Sequence, residues 1–147
     1  MPVLTASAAD AALASTLRLS VMRLARRLRN QRASDDLGLT HLATLSTVEL
    51  HGAMTPGELA AHERVQPPSM TRVIAGLEER GLLLREPHPT DRRQVIVRLS
   101  PAGRELLKGD RRRRDAWLSR RLSALTPDEL DLLRKAAPIL ERLAQSE

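Results

Sequence analysis

Between Thr55 and Leu99 the spacing of apolar residues changes once, and that change limits the fold more than any other feature. Before Gly81 the spacing is helical: Met70, Val73, Ile74 and Leu77 stand at i, i+3, i+4 and i+7, one face of an α-helix. After Gly81 the period is two. Val95, Val97 and Leu99 alternate with Ile96 and Arg98, the pattern of a strand. Leu82–Glu86 reads as its partner strand, stopped by Pro87 and Pro89, with a hairpin loop between. A shorter helix precedes these elements. Thr55-Pro56-Gly57-Glu58 is a capping box with proline at the first helical position, and Leu59 and Ala60 follow it. His62–Gln66 is then a tight turn, Pro67-Pro68 opens the next helix with its cap near Gln66 or Pro67, and Gly81 closes it.

Two short helices joined by a turn and followed at once by a hairpin make a winged helix-turn-helix. Further helices flank it. From about Asp10 to Arg32, Leu13, Leu17, Val21, Leu24 and Leu28 form an apolar stripe, with Arg18, Arg26 and Arg29 away from it. Ser34–Gly38 breaks that helix, and another after Thr40 carries Leu42, Leu45 and Val48 and ends at Gly52. Ser100-Pro101 starts a long helix that runs to about Leu122. Thr126-Pro127-Asp128-Glu129 is a second capping box, and the last helix carries Leu130, Leu133, Ala137 and Leu140, with Pro138 expected to kink it. The fold expected is mainly α with a small antiparallel β-wing, one domain over residues 1–147. Within it a winged lobe spans about 39–100, and terminal helices, about 10–34 and 101–147, form a dimerisation region. Their stripes need a partner, and a second copy of the same helices supplies one.

Composition narrows the chemistry. Apolar residues make up 41% of the chain, but Phe and Tyr are absent and Trp117 stands alone, so the core must be aliphatic. The net charge is +6, and among 24 basic residues only Lys108 and Lys135 are lysine. Guanidinium suits bidentate contacts to phosphate and guanine, although a chain rich in Ala, Arg and Leu also fits a GC-rich genome. No cysteine is present, which excludes disulfides, thiolate zinc sites and cysteine nucleophiles. No apolar run has the length of a membrane span, and the segment MPVLTASAADAALAS lacks the basic start of a signal peptide. A cytoplasmic protein without membrane contact is expected.

The stretches TPGELAAHERVQPPSMTRVIAGLEERGLL (55–83), DRRQVIVRLSPAGRELL (91–107) and LTPDELDLLRKAAPILERLA near the C-terminus resemble the MarR family of bacterial transcriptional regulators. The helical order matches over nearly the whole chain. The resemblance implies a homodimer with interlocked terminal helices and two winged lobes. It implies repressor-like binding of double-stranded DNA at a pseudo-palindrome, relieved by a small aromatic or anionic effector in the cleft between helical region and winged lobe. Asp91 and Arg93 match the family's Asp-x-Arg wing motif. The resemblance assigns Arg93 to the minor groove and Asp91 to orienting it, and Arg92 then faces the backbone.

The recognition helix presents Gln66, Pro68, Ser69, Thr71 and Arg72 at its N-terminal end, where such helices meet base edges. Arg72 suits a guanine and Gln66 an adenine. Ser69 and Thr71 suit phosphates or the helix's own cap. The plain alternatives are a solvated arginine and an ordinary cap. Gly76 is placed on the exposed side of this helix, and Glu78 and Glu79 turn its other end away from phosphates. Arg85 and Arg98 add positive charge to the hairpin, Arg85 as a further DNA-binding candidate. The alternative for Asp91 with Arg93 is a surface ion pair worth about 0–1 kcal/mol.

Arg111–Arg114 and Arg120-Arg121 form a dense basic run on a helix, read as a solvated face offset by Asp110 and Asp115. Trp117, with Leu118 and Leu122, is expected to pack between terminal helices. His41, His51, His62 and His88 show no i, i+4 pair, so neither metal nor cofactor is expected. No catalytic arrangement has a structural context, so the chain is not read as an enzyme. The competing function is a winged protein-interaction module whose basic surface is only compositional.

Overall fold

Residues 7–32 and 37–146 are described by the structure, a computed structural model. Most of the break expected at Ser34–Gly38, and the first residues of the chain, lie outside them. Helix α1 is Ala8–Arg29, α2 Leu39–His51, α3 Pro56–His62 and α4 Pro67–Glu79. Strands β1 (Leu83–Pro87) and β2 (Val95–Leu99) follow, then α5 (Pro101–Leu122) and α6 (Pro127–Gln145). Both expected capping boxes are formed, Thr55 with Glu58 and Thr126 with Glu129. A third one sets the start of α1 two residues earlier than periodicity places it. Ser7 Oγ accepts from the Asp10 N–H at 3.1 Å, and the Asp10 carboxylate accepts from the Ser7 N–H at 3.1 Å. Hydrogen bonds from the Ser7 side chain and then its backbone hold the Asp10 carboxyl below its ordinary value.

The chain divides into two compact units, Arg32–Arg113 and the remainder from both ends. The apolar core of the first unit is made of aliphatic side chains and Met70. Leu45, Leu59, Met70, Ile74, Leu77 and Val97 are fully buried in one cluster with Leu42, Val48, Leu83 and Leu99. Each large aliphatic side chain there contributes about 2–5 kcal/mol against truncation to alanine. β1 and β2 pair antiparallel from Leu83↔Leu99 to Pro87↔Val95. Pro87 is therefore the last residue of the strand and not its stop. Met54, ahead of α3, bridges the other edge of β2: its N–H donates to Val97 O at 3.1 Å and its carbonyl accepts from Val97 N–H at 2.8 Å. Ile96, whose alternation places it opposite Val97, is buried as well.

Two helix ends in this unit close in the same way with different residues. After α4, Gly81 has φ +69°, its N–H reaches Glu78 O at 2.9 Å, and Leu82 N–H reaches Leu77 O at 2.9 Å. This is a Schellman closure, with glycine at the left-handed position. After α3, Arg64 holds that position at φ +53°, with Arg64 N–H to Ala61 O at 3.3 Å and Val65 N–H to Ala60 O at 3.0 Å. A non-glycine residue in this region costs roughly 1–2 kcal/mol, and the packed pair α3 and α4 enforces it.

Ser100 clasps the base of the hairpin to the end of α4. Its Oγ donates to Gly81 O at 2.6 Å and accepts from Gly103 N–H at 2.9 Å, while its own N–H donates to Leu82 O at 3.1 Å. The first turn of α5 comes so near that a Cβ on Gly103 would collide with the Leu82 carbonyl oxygen and lie 2.8 Å from Leu99 Cδ1. Gly103→Ala is expected to destabilise the lobe by about 1–3 kcal/mol. Gly57→Ala is the control, because the nearest atom there is Thr55 Oγ1 at 4.0 Å. Urea unfolding of both variants checks this, and equal midpoints would refute it.

In the second unit Trp117 is buried, with the guanidinium groups of Arg27 on α1 and Arg121 on α5 at 5.5 and 5.1 Å from its ring centre. These are cation–π distances. Leu118 and Leu122 line an open apolar groove with Leu24, Leu130, Leu133 and Leu140. α6 continues through Pro138. Neither α1 nor α6 buries a residue fully. Leu13, Leu19, Val21, Met22 and Leu24 are exposed on α1, as are Leu132, Leu133, Ile139, Leu140 and Leu143 on α6. None of the described helices is long and apolar enough to cross a membrane.

Candidate nucleic-acid interface

The N-terminal end of α4 projects from the core on the strength of its buried face. Met70, Ile74 and Leu77 fix the rotation of the helix, which leaves Gln66, Pro68, Ser69, Thr71 and Arg72 exposed. Gln66 is the N-cap residue but its side chain makes no capping hydrogen bond, so its amide is not spent on the helix. Thr71 is spent: its hydroxyl donates to Pro67 O at 3.0 Å. The arrangement thus offers Gln66, Ser69 and Arg72 as polar groups at a positive helix end. Gly76 departs from expectation. It is half-buried, and a Cβ there would sit 3.5 Å from His41 Nε2, so this position faces α2 and not solvent.

At the other end of α4 the charges cancel. Arg85 donates through Nε to Glu78 Oε1 at 2.9 Å, and its Nη2 lies 2.9 Å from the same oxygen. Arg98 pairs with Glu86 across the hairpin at 2.9 Å. The two arginines at the base and middle of the wing are therefore engaged with carboxylates, which Arg92 and Arg93 at the tip extend beyond.

The tip is a turn built on Asp91. Gln94 N–H donates to Asp91 O at 3.0 Å, and Asp91 Oδ1 accepts from the Arg93 N–H at 3.1 Å. An Asp at the first turn position that captures the N–H two residues on is an Asx-turn. The same Oδ1 accepts from Arg93 Nε at 3.3 Å, and Gln94 Nε2 reaches Oδ2 at 3.4 Å. One carboxylate thus orders both backbone and side chain of Arg93. Because the contact uses Nε, the terminal nitrogens stand in solvent, and the side chain is 92% exposed. The guanidinium stays solvated while the contact at Nε removes part of its orientational freedom.

Sequence reasoning overlooked His88, weighed only as a metal ligand. Its Nδ1 accepts from the Asp91 N–H at 3.1 Å and the Thr90 N–H at 3.2 Å. Nothing in the sequence marks this role, because the usual residues for such local caps are Asp, Asn, Ser and Thr. Among the described residues no three His, Asp or Glu side chains come together in a way that could hold a metal ion.

The basic run on α5 is partly committed. Arg111 grips Glu49 of α2 through both terminal nitrogens, at 2.7 and 3.2 Å. These hydrogen bonds chiefly hold the Glu49 carboxyl below its ordinary value, with the charges of Arg111, Arg104 and Lys108 adding and partial burial opposing. Within the same lobe the Thr47 hydroxyl donates to Glu63, which fixes α2 to the end of α3.

Comparison with known proteins settles what this lobe is. The MarR family model matches residues 37–95. An HTH-type transcriptional regulator of Mycobacterium leprae is 53% identical over 91% of this chain and 94% of its own length. The chain belongs to the MarR family. The HTH-type transcriptional repressor MdtR of Bacillus subtilis is 30% identical over 91% of this chain and 87% of its own. A crystal structure of a transcriptional regulator from Pseudomonas aeruginosa superimposes with a TM-score of 0.84 at 38% identity, covering 96% of this chain and 99% of that one. As a MarR-family chain it is a transcriptional regulator with a DNA-binding winged helix, and the likeness extends over α1 and α6 as well as the lobe.

Proposed function

We propose that this regulator binds a pseudo-palindromic operator as a homodimer and represses transcription from it. Each copy lays the start of α4 in a major groove, with Gln66, Pro68, Ser69, Thr71 and Arg72 against bases and phosphates. Each wing puts Arg93 into the flanking minor groove, with Arg92 on the backbone, and Arg85 joins the interface only by exchanging Glu78 for DNA. The single observation that carries this reading is the Asp91 carboxylate holding both the N–H and Nε of a 92% exposed Arg93. A surface ion pair formed only for stability gains nothing from pointing its arginine outward. Repression is supported by the B. subtilis relative MdtR, a transcriptional repressor. A gel shift with the DNA flanking the regulator's own gene tests it. A retarded band that resists competitor DNA supports the reading. Its absence for folded dimer would leave the winged lobe as a protein-interaction module.

The dimer is supported by the exposed leucines, valine, methionine and isoleucine of α1 and α6, an apolar surface far beyond what scattered exposed residues require. Light scattering at micromolar concentration is expected to give twice the chain mass, and a folded monomer would refute the dimer. Release of DNA by a small aromatic or anionic effector belongs to the same proposal. Titration of the complex with aromatic acids, read by DNA affinity and Trp117 fluorescence, is its test.

A further inference from the structure

We propose that His88 is the positioning residue of the wing tip, and that its neutral imidazole keeps the wing in DNA-reading form, so that acid weakens DNA binding. The inference rests on the DNA-binding role proposed for Arg93, and deepens it by naming what governs that arginine's placement.

Two backbone amides converge on one ring nitrogen of His88. Thr90 N–H and Asp91 N–H both point at His88 Nδ1, at 3.2 and 3.1 Å, and Thr90 Oγ1 lies 3.4 Å from the same atom. A backbone N–H can only donate, so Nδ1 must present its lone pair and the ring proton sits on Nε2. His88 is also fixed from behind: its own N–H donates to Gln94 O at 3.2 Å. The residue thus spans the loop, its backbone tied to one side and its ring to the other. The second amide it holds belongs to Asp91, whose carboxylate orders Arg93. The chain of contacts runs from the imidazole to the Asp91 backbone, to the Asp91 carboxylate, to the Arg93 guanidinium.

Histidine changes charge between about pH 5 and 8. Protonation places a third N–H against the two amides; the Thr90 hydroxyl oxygen, 3.4 Å away, can accept it, but both amide hydrogen bonds are lost and the loop no longer holds the ring in its place. The charged neighbours do not offer the imidazolium a substitute contact. In the turn Asp91 is engaged with Arg93, beside Arg92. On the strands Glu86 is paired with Arg98, and Arg85 with Glu78 of α4. Glu58 of α3, which faces Arg93 and Gln94 across a groove, is held in its capping box with Thr55. A regulator acting through net charge alone would bind DNA more tightly as its histidines protonate. The imidazole latch requires the opposite sign.

The test measures affinity for the duplex flanking the gene at constant ionic strength, from about pH 8 to about pH 5.5, for the native dimer, His88→Asn and His88→Ala. Asparagine keeps an oxygen that can accept from the amides two and three residues on, and gains no proton in this range. The native protein is expected to lose about tenfold in affinity on acidification, the equivalent of the lost hydrogen bonds. His88→Asn is expected to bind like native at high pH and to stay level or tighten in acid. His88→Ala is expected to be weak throughout. His41, His51 and His62 are common to all three proteins, so the difference between the curves belongs to His88. In the free protein, the amide resonances of Thr90 and Asp91 are expected to move together with pH in native and to stay in place in His88→Asn. Equal acid sensitivity of native and His88→Asn, or native affinity that rises in acid, would overturn the proposal. If the native dimer fails to bind the duplex even at high pH, the DNA reading falls, and the amide titration still decides the latch: amides indifferent to pH overturn it.

Discussion

Replacing Asp91 by alanine is expected to loosen DNA binding, although it removes a negative charge from a surface that meets phosphates. Asp91 Oδ1 holds both the N–H and Nε of Arg93, so alanine frees the turn and the guanidinium together. Arg93→Ala is expected to cost more, roughly 1–3 kcal/mol per wing, because the group proposed to enter the groove is then gone. Arg112→Ala, on the exposed side of α5, is expected to lose only a screened long-range contribution. A double-mutant cycle adds the decisive size: once Arg93 is absent, Asp91→Ala should matter little. Asp91→Asn, which keeps an acceptor for the Arg93 N–H, should fall between native and alanine. Tighter binding by Asp91→Ala in folded dimer at moderate salt would reduce the wing tip to an ordinary hairpin carrying a surface ion pair.

DNA affinity is expected to fall about 10³–10⁵-fold as salt rises from about 50 to 200 mM, the loss that follows when roughly 6–10 phosphates are neutralised. Arg92 from each of two wings gives about two of these phosphate contacts, and the amides at the start of α4 with Ser69 are the candidates for the rest. Removing Arg92 from both wings should lower the log–log slope by about 1.8, at 0.9 per phosphate. Affinity that stays flat across this range would exclude phosphate contact as the main source of binding.

What was legible in the sequence is what short-range chemistry determines. Thr55 with Glu58 and Thr126 with Glu129 mark helix starts because each box closes within one turn. The hairpin is legible because alternation in Val95–Leu99 survives in the burial of Val97 and Leu99. The box that starts α1 escaped notice because Asp10, shorter than glutamate, stands at its third position. The rest depends on partners distant in the chain. Gly76 turned out to face His41, and Arg85 to lie against Glu78, through packing that no local pattern encodes. Arg64 gives no signal of its left-handed backbone, since a glycine would be the residue to expect there. His88 acts through local contacts, yet its residue type hides them. The stripes on α1 and α6 were visible at once, but a stripe states only that a partner is needed.

The hairpin also serves as a gauge of fixed length. Its five residue pairs, from Leu83↔Leu99 to Pro87↔Val95, carry the tip about 17 Å away from the Ser100 clasp, at roughly 3.4 Å per residue. That is about half of one turn of B-DNA, whose repeat is roughly 34 Å, the axial offset between a major groove and the minor groove beside it. The gauge cannot be trimmed by small amounts. Slipping one strand by a single residue would reverse which of its side chains face the core, and the bridge from Met54 to Val97 opposes such a slip. Removing one residue from each strand turns the tip loop to the opposite face, so the tip keeps its facing only in steps of two pairs, about 7 Å. Operators for relatives with longer or shorter wings should therefore differ by discrete jumps in where the flanking minor-groove contact falls, and not by gradual drift.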